Sequence, residues 1–313
     1  MSPATGPRVV ALGGGHGLAA SLQALRRLTC HVTAVVTVAD DGGSSGRLRT
    51  ELDALPPGDL RMALAALAGD DDWGRTWEAL LQHRFGGDGP LAGHAVGNLL
   101  LAGLAEVTGD PVTALDLTAK LLHLDGRVLP MTTERIDIVA EVAGLTPQGT
   151  TQVRGQVKVA TTPGRVSAVT LDPPDPPATP AAVAAIDAAE WVVLGPGSLF
   201  TSMVPHLLVP GLRQAICRTR ARRVLVLNLV PQTGETSGFT PAAHLEAVAA
   251  HVPDLPFDCV LADEGVLDRD GLMEAAADLG AQVRFAPVAA VGHAARHDPA
   301  RLARAYADLM GIA

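Results

Sequence analysis

The stretch Thr33-Ala-Val-Val-Thr-Val-Ala-Asp-Asp-Gly-Gly-Ser-Ser-Gly46 constrains this chain more than any other. Its β-branched run, Thr33 to Val38, reads as a buried strand. The run ends abruptly in two adjacent carboxylates, Asp40 and Asp41, and a Gly/Ser turn follows at once. Gly42, Gly43 and Gly46 free the backbone to aim N–H groups at an anion, and Ser44 and Ser45 add hydroxyls. Carboxylates beside such a cradle suit ribose or metal–phosphate recognition. The same residue types also make ordinary solvated turns, so the reading needs support from the rest of the chain.

The support begins upstream. Arg8-Val-Val-Ala-Leu12 is a short apolar strand, the turn Gly13-Gly14-Gly15-His16-Gly17 follows, and Leu18 to Leu28 has helical spacing of apolar residues. Gly15, Gly17 and Ala20 fit G-x-G-x-x-A, and Asp40 follows Ala20 by 20 positions, near where a dinucleotide fold places its ribose-binding acid. Glycines let a phosphate approach the backbone, and the helix N-terminus supplies unpaired N–H donors. Three consecutive glycines exceed what a tight βα turn needs and each costs conformational entropy, which favours a ligand. His16 could donate to a phosphate or act in acid–base chemistry, or stand as a partly exposed turn residue.

Composition narrows the function classes. The chain has 313 residues, 48% hydrophobic and 18% charged, ample for a sizeable core. A net charge of -9 argues against a nucleic-acid binder, which would show a basic patch. Aromatics are only 3%, so few rings are available for base stacking. Cys30, Cys217 and Cys259 are widely spaced and form no C-x-x-C, which suits a reducing compartment and excludes a cysteine zinc site. Met1 to Pro7 lack the apolar core of a signal peptide, and no apolar segment is long enough to span a membrane. The expectation is a soluble cytoplasmic protein.

Along the chain, residues 8 to about 70 alternate β and α. Pro56-Pro-Gly-Asp-Leu-Arg61 leads into a helix over Met62 to Ala68, with Asp59 at its N-cap. Asp70 to Trp73 reads as an acidic loop, Trp77 to Phe85 and His94 to Val107 as helices, and a further helix follows Asp110-Pro111. From Ile136 to Leu171 the period shortens: Ile136, Ile138, Ala140 and Val142 alternate, Val153, Val157 and Val159 do so less strictly, and Val166 to Leu171 is a third candidate strand. These read as antiparallel β within a β-rich insertion over 130–172. Pro173 to Pro180 is a stiff connector. The α/β pattern resumes at Ala181, with strands Trp191–Leu194, Arg223–Asn228, Cys259–Ala262 and Val283–Phe285, and a closing helix Pro299–Met310. The expected fold is one α/β domain over 1–313, a Rossmann-like, doubly wound, mostly parallel sheet carrying a small antiparallel β insertion.

Four apolar strands, ending at Leu12, Val38, Leu194 and Asn228, each run into a small-residue polar loop. In an open parallel sheet ligands bind outside the carboxyl ends of the strands, where strand order reverses. Repeated Ser, Thr, Asp and Asn beside the glycines favour a nucleotide or phosphate site over bare turns.

The segments Gly13 to Gly17, Val38 to Leu48, Pro56 to Arg61, Gly93-His-Ala-Val-Gly-Asn98, Gly195-Pro-Gly-Ser-Leu-Phe-Thr-Ser202 and Asn228 to Thr240 occur in this order. With them the chain resembles the gluconeogenesis factor (YvcK-like) family, relatives of the 2-phospho-L-lactate transferase (CofD) family, over nearly its whole length. The resemblance implies a Rossmann-like core and a nucleotide-sugar ligand of the UDP-N-acetylglucosamine type. It also implies a regulatory role that links carbon supply to cell-wall precursor synthesis and cell shape. No settled enzymatic activity comes with this branch, and no catalytic residue is assigned. The transferase branch instead joins a phospholactyl group to a deazaflavin with a divalent metal near paired aspartates.

Carried over by position, the ligand-binding candidates are Gly13, Gly14, Gly15, His16, Gly17, Asp40, Asp41, Gly42, Gly43, Ser44, Ser45, Asp59, Arg61, His94, Asn98, Gly195, Pro196, Gly197, Ser198, Asn228 and Gln232. Under the transferase alternative Asp40 and Asp41, with Asp59, would hold Mg²⁺ bridged to phosphates. His16 stands where Thr is usual, Met62 where Asn is usual, and Ser237 where Asp is common. Arg61 could pair with a phosphate or form a salt bridge to Asp59 or Asp41. His94 and Asn98, one helical turn apart, could face a ligand or make a buried helix–helix hydrogen bond. Asn228 could read a base or ribose, or cap a turn. A dinucleotide-dependent oxidoreductase rests on the G-x-G-x-x-A fit alone. The apolar content permits a homodimer without placing an interface, and a regulatory role calls for a protein partner that the sequence does not identify.

Overall fold

The computed structural model describes residues 6–146 and 149–312. The amino-terminal half runs β1 (Val9–Gly13), α1 (Gly15–Leu25), β2 (Val32–Val36), α2 (Gly43–Leu52), α3 (Gly58–Leu67), α4 (Asp72–Gln82), α5 (Val96–Thr108), α6 (Pro111–Leu121) and β3 (Arg127–Pro130). There follow β4 (Asp137–Ala143), β5 (Thr150–Arg154), a short α7 (Gln156–Ala160) and β6 (Arg165–Asp172). The chain resumes with α8 (Pro180–Ala188), β7 (Trp191–Leu194), a π-helical turn (Leu199–Met203), α9 (Val204–Leu208), α10 (Pro210–Arg218) and β8 (Arg222–Val226). It closes with α11 (Pro241–His251), β9 (Cys259–Asp263), α12 (Arg269–Asp278), β10 (Gln282–Ala286), the hairpin strands β11 (Ala289–Ala290) and β12 (His293–His297), and α13 (Pro299–Met310).

Seven of these strands form one sheet in the order β10-β9-β8-β7-β1-β2-β3, and every pairing in it is parallel. From β1 the chain steps outward through β2 to the edge strand β3, then returns to place β7 on the other side of β1, so strand order reverses between β1 and β7. β1 and β7 are buried at every position, which is what an all-parallel sheet covered by helices on both faces demands. The Val-rich, all-apolar runs of these strands are therefore a consequence of having no solvent side. The expected α/β, Rossmann-like sheet is the sheet observed.

The antiparallel sheet β5-β4-β6 is separate. In β4, buried Ile138, Ala140 and Val142 alternate with more exposed residues, as a one-sided sheet requires. The Asp137 carboxylate fastens it to α2 by accepting from Arg49 at 2.5 Å, and accepts from Arg154 Nε of β5 at 2.9 Å.

Several boundaries differ from expectation. Val157 and Val159 belong to α7, not to a strand; their apparent alternation continues β5 only on paper. Pro57 holds the N-cap position of α3, and Asp59 lies inside its first turn without capping it. The acidic loop is shorter than expected, because Asp71 accepts from Gly74 N and starts α4 at Asp72. Helix α5 begins at Val96, which leaves His94 outside it. Strand β3 went unread: it is four residues long, ends in Pro130 and sits at a sheet edge where proline is tolerated.

Candidate functional site

The reversal between β1 and β7 brings two glycine loops into contact. A Cβ at Gly17 would stand 2.2 Å from Pro196 O, and one at Gly14 would stand 2.5 Å from Asp59 Oδ2 and 2.6 Å from Thr37 Cγ2. Gly17 and Gly14 are therefore required by packing between loops. Gly15 is different: its φ is +58° with open space around it, a left-handed turn that lifts the chain into α1. Gly14 occupies the N-cap of α1 and has no side chain to cap it, and Asp59 takes the Gly15 N–H, which leaves the N–H groups of His16 and Gly17 to an anion.

Beside this turn lies a cleft of about 1120 Å³. His16, Gly17, Arg61, Pro196, Gly197, Asn228 and Gln232, all named from sequence, line it. So do Arg84, Leu229 to Pro231, Thr233, Arg296 and His297, which were not. Three arginines thus face one concavity in a protein of net charge -9. The Arg61 guanidinium is pushed down to about 10 by burial first and by the charge of Arg84 second, and it remains a cation at neutral pH. His297 is held neutral, its pKa lowered to about 4 by burial. His297 Nε2 and Gln232 Oε1 are buried and have no hydrogen-bond partner among the described residues.

A second cluster sits under the Gly14 turn. The carboxylate beside Asp40 is that of Asp59, whose pKa is raised to about 7 by burial first and by Asp40 second, against a hydrogen bond from Gly15 and the charge of Arg61. A Cβ at Gly58 would lie 2.4 Å from Ser45 Oγ and 2.8 Å from Asp40 Oδ2, so α3 can enter here only without a side chain. Asp40 Oδ1 also accepts from Gly42 N at 2.9 Å. Thr37 Oγ1 is buried there without a partner among the described residues. Asp41 turns away: its Oδ1 accepts from Val157 N at 2.9 Å and so grips α7. Gly43 and Ser44 begin α2, and Ser44 and Ser45 are buried in its first turn.

Ser44 is committed internally. Its Oγ accepts from Asn98 Nδ2 at 3.0 Å and lies 2.9 Å from His94 Nδ1. Asn98 Oδ1 accepts from Arg61 Nε at 2.8 Å, and Arg61 Nη1 donates to Gln82 Oε1. His94 and Asn98 are 3% and 1% exposed. They form a buried relay through Ser44 to Arg61. Arg61 likewise makes neither of the salt bridges considered for it; its direct partners are amides.

The β7 loop is held from β8. Asn228 accepts from Gly197 N at 3.0 Å and donates to Gly197 O at 2.7 Å. Glu235, 2% exposed, accepts from the Ser198 hydroxyl and from Phe200 N at 3.2 Å. Sequence reasoning passed over Glu235 because a glutamate in a Gly/Thr turn reads as solvated. It missed Arg296 and His297 because the β11–β12 hairpin has no apolar run to betray it.

Among the described residues no group of three or more His, Cys, Asp or Glu is placed to share a metal ion. Asp40 and Asp59 could supply two carboxylates, which fits Mg²⁺ bound chiefly through substrate and water oxygens. No described helix is long and apolar enough to cross a membrane.

Comparison with known proteins supports the fold and places the family. Residues 9–298 match the family described as 2-phospho-L-lactate transferase CofD. The chain is 58% identical over 301 residues to a protein of Mycobacterium tuberculosis, covering 94% of this chain and 88% of that one. It is 42% identical over 243 residues to the gluconeogenesis factor of Halalkalibacterium halodurans, covering 78% and 73%. A 2.60 Å crystal structure of a UPF0052 family member from Bacillus halodurans superposes with a TM-score of 0.86 at 36% identity, covering 96% of this chain and 99% of that one. The chain belongs to the CofD family, in the group of the gluconeogenesis factors.

Proposed function

We propose that this protein binds a nucleotide sugar of the UDP-N-acetylglucosamine type in the cleft between the β1 and β8 loops. It acts in the cytoplasm as a regulator, linking central carbon metabolism to cell-wall precursor synthesis and cell shape through a protein partner that reads the bound state. One observation carries the reading: the first turn of α1, at His16 and Gly17, opens onto a cleft of about 1120 Å³ that also receives Arg61, Arg84 and Arg296. A diphosphate is the ligand group that uses a helix N-terminus and arginines together. The volume leaves room for a nucleoside on one side and a sugar on the other.

The test is thermal stability with UDP-N-acetylglucosamine, UDP-glucose, NAD and GTP, each with and without Mg²⁺. Binding to the native state raises the melting temperature. A selective rise with the UDP sugars, recovered intact, and lost in Arg61→Ala, is the expected result. A rise with NAD alone would leave the nucleotide-sugar reading without support.

A second reading, a metal-dependent transferase of phosphorus-containing groups, is favoured by the Asp40–Asp59 pair. A carboxyl with a pKa near 7 is half protonated at neutral pH and could exchange its proton for a cation. Asp40 and Asp59 would hold the ion, which would neutralise phosphate charge. A thermal shift that requires Mg²⁺, with the ligand returned cleaved, would move the assignment to this reading.

A further inference from the structure

The segment from Asn228 to Thr236 forms an arch with both feet on the β7 loop. At one foot the Asn228 carboxamide exchanges two hydrogen bonds with the Gly197 backbone. At the other the Glu235 carboxylate receives the Ser198 hydroxyl and the Phe200 N–H. Inside the arch Gln232 N donates to Thr236 Oγ1 at 2.8 Å, and Thr236 N returns a bond to Gln232 O at 3.0 Å. Gly234 presses so closely on α7 that a Cβ there would stand 2.4 Å from Ala160 O. The crown of the arch, Leu229 to Thr233, is a wall of the cleft.

A buried carboxylate with no cation beside it is costly unless hydrogen bonds satisfy it. Here two neutral donors do so at once. A leucine of similar size could accept from neither and would leave both donors buried without this partner. Glu235 therefore fixes where the arch stands, beyond filling space. What the arch presents is Gln232 Oε1, buried and without a partner among the described residues. A buried acceptor left open is satisfied by a donor that arrives with the ligand.

We propose that Glu235 is a positioning residue of the cleft, pinning the Leu229–Thr233 arch to the β7 loop so that Gln232 Oε1 is the acceptor for an amide-type N–H donor on the ligand. This rests on the nucleotide-sugar reading for its ligand and on the arch geometry for its mechanism. Such a donor has two sources in a UDP-N-acetylhexosamine, the acetamido N–H and the uracil imide N–H.

Two measurements test it. The first needs no ligand: amide hydrogen exchange over residues 229–236. In Glu235→Leu, exchange there should rise about tenfold while the strands of the main sheet keep their protection. Ser198→Ala, which removes one donor and keeps the carboxylate, should act in the same direction more weakly and serves if Glu235→Leu does not fold. Unchanged exchange in the arch overturns the pinning. The second is calorimetric titration with UDP-N-acetylglucosamine, UDP-glucose and CDP-glucose. A preference for the first over the second locates the donor on the acetamido group, and one for the second over the third locates it on the uracil. Glu235→Leu and Gln232→Leu should both erase that preference, with affinity for the preferred ligand about tenfold weaker. Retained preference in both variants overturns the role of Gln232. A wild type that binds none of the three overturns the nucleotide-sugar reading and the role of Gln232 with it, while hydrogen exchange still decides whether Glu235 pins the arch.

Discussion

The Asp59 carboxylate stands beside that of Asp40 beneath the Gly14 turn, and burial first and that neighbouring charge second push its pKa up to about 7. In the unfolded chain the same group titrates near 3.8. The native state therefore holds a proton that the unfolded state has released. Stability is unaffected below about pH 4, falls as pH rises toward 7, and levels off above it. Asp59→Asn keeps an acceptor for Gly15 and removes this penalty. The variant should match the wild type near pH 3.5 and exceed it at pH 8 by roughly 2–4 kcal/mol, measured by urea unfolding at both values. Parallel pH profiles for the two proteins would refute the assignment. Asp40→Asn should lower the Asp59 pKa, read by carboxyl carbon NMR titration.

A second expectation separates glycines by what surrounds them. Gly17→Ala places a methyl 2.2 Å from Pro196 O and 2.6 Å from Pro196 C, both backbone atoms of the opposing loop. The two loops must part, so the variant should lose about 2–4 kcal/mol. Gly15→Ala meets nothing within 4 Å and suffers only its φ of +58°, a cost of about 1–2 kcal/mol. Thermal denaturation of the two variants side by side checks the order; equal losses would mean that the glycine loops do not pack as described.

That distinction was not legible in the sequence, where Gly13 to Gly17 looks uniform. The strands were. β1 and β7 are unbroken apolar runs because burial on both faces leaves no place for a polar residue, β8 becomes one after Arg222 and Arg223, and the turns after them declare themselves by Gly, Ser and Asn. The helix α13 was read to its exact ends because Pro299 and Gly311 bracket an amphipathic pattern. What escaped was everything set by long-range packing. His94 and Asn98 do meet at one point, but through Ser44, far upstream in the chain, and not by sharing a helix face. Glu235 is buried only because Ser198 and Phe200 lie across from it. Asp59 has its raised pKa because a loop from another strand covers it. Residue identity announced which positions were polar; only the fold decided which of those face the cleft, which face each other, and which, like Asp41, grip α7, the helix between β5 and β6 of the antiparallel sheet, instead.

The tether of that sheet gives the last expectation, of opposite sign to that for Asp59. Burial alone would raise the pKa of Asp137, but the hydrogen bonds and charges of Arg49 and Arg154 outweigh it and hold the carboxyl below its usual range. Its native pKa lies below the unfolded one, so its contribution is complete above the unfolded value and is lost as pH falls through the folded value. Asp137→Asn leaves Arg49, whose side chain is 11% exposed, without its ion-pair partner. At pH 7 the variant should be less stable by about 1–3 kcal/mol. The deficit should shrink as the medium is acidified below pH 4, because the wild type then loses the same charge. Urea unfolding of both proteins at pH 7 and in that acidic range measures it. A deficit that is constant with pH would mean that Asp137 acts by shape alone and that its charge does not fasten β4 to α2.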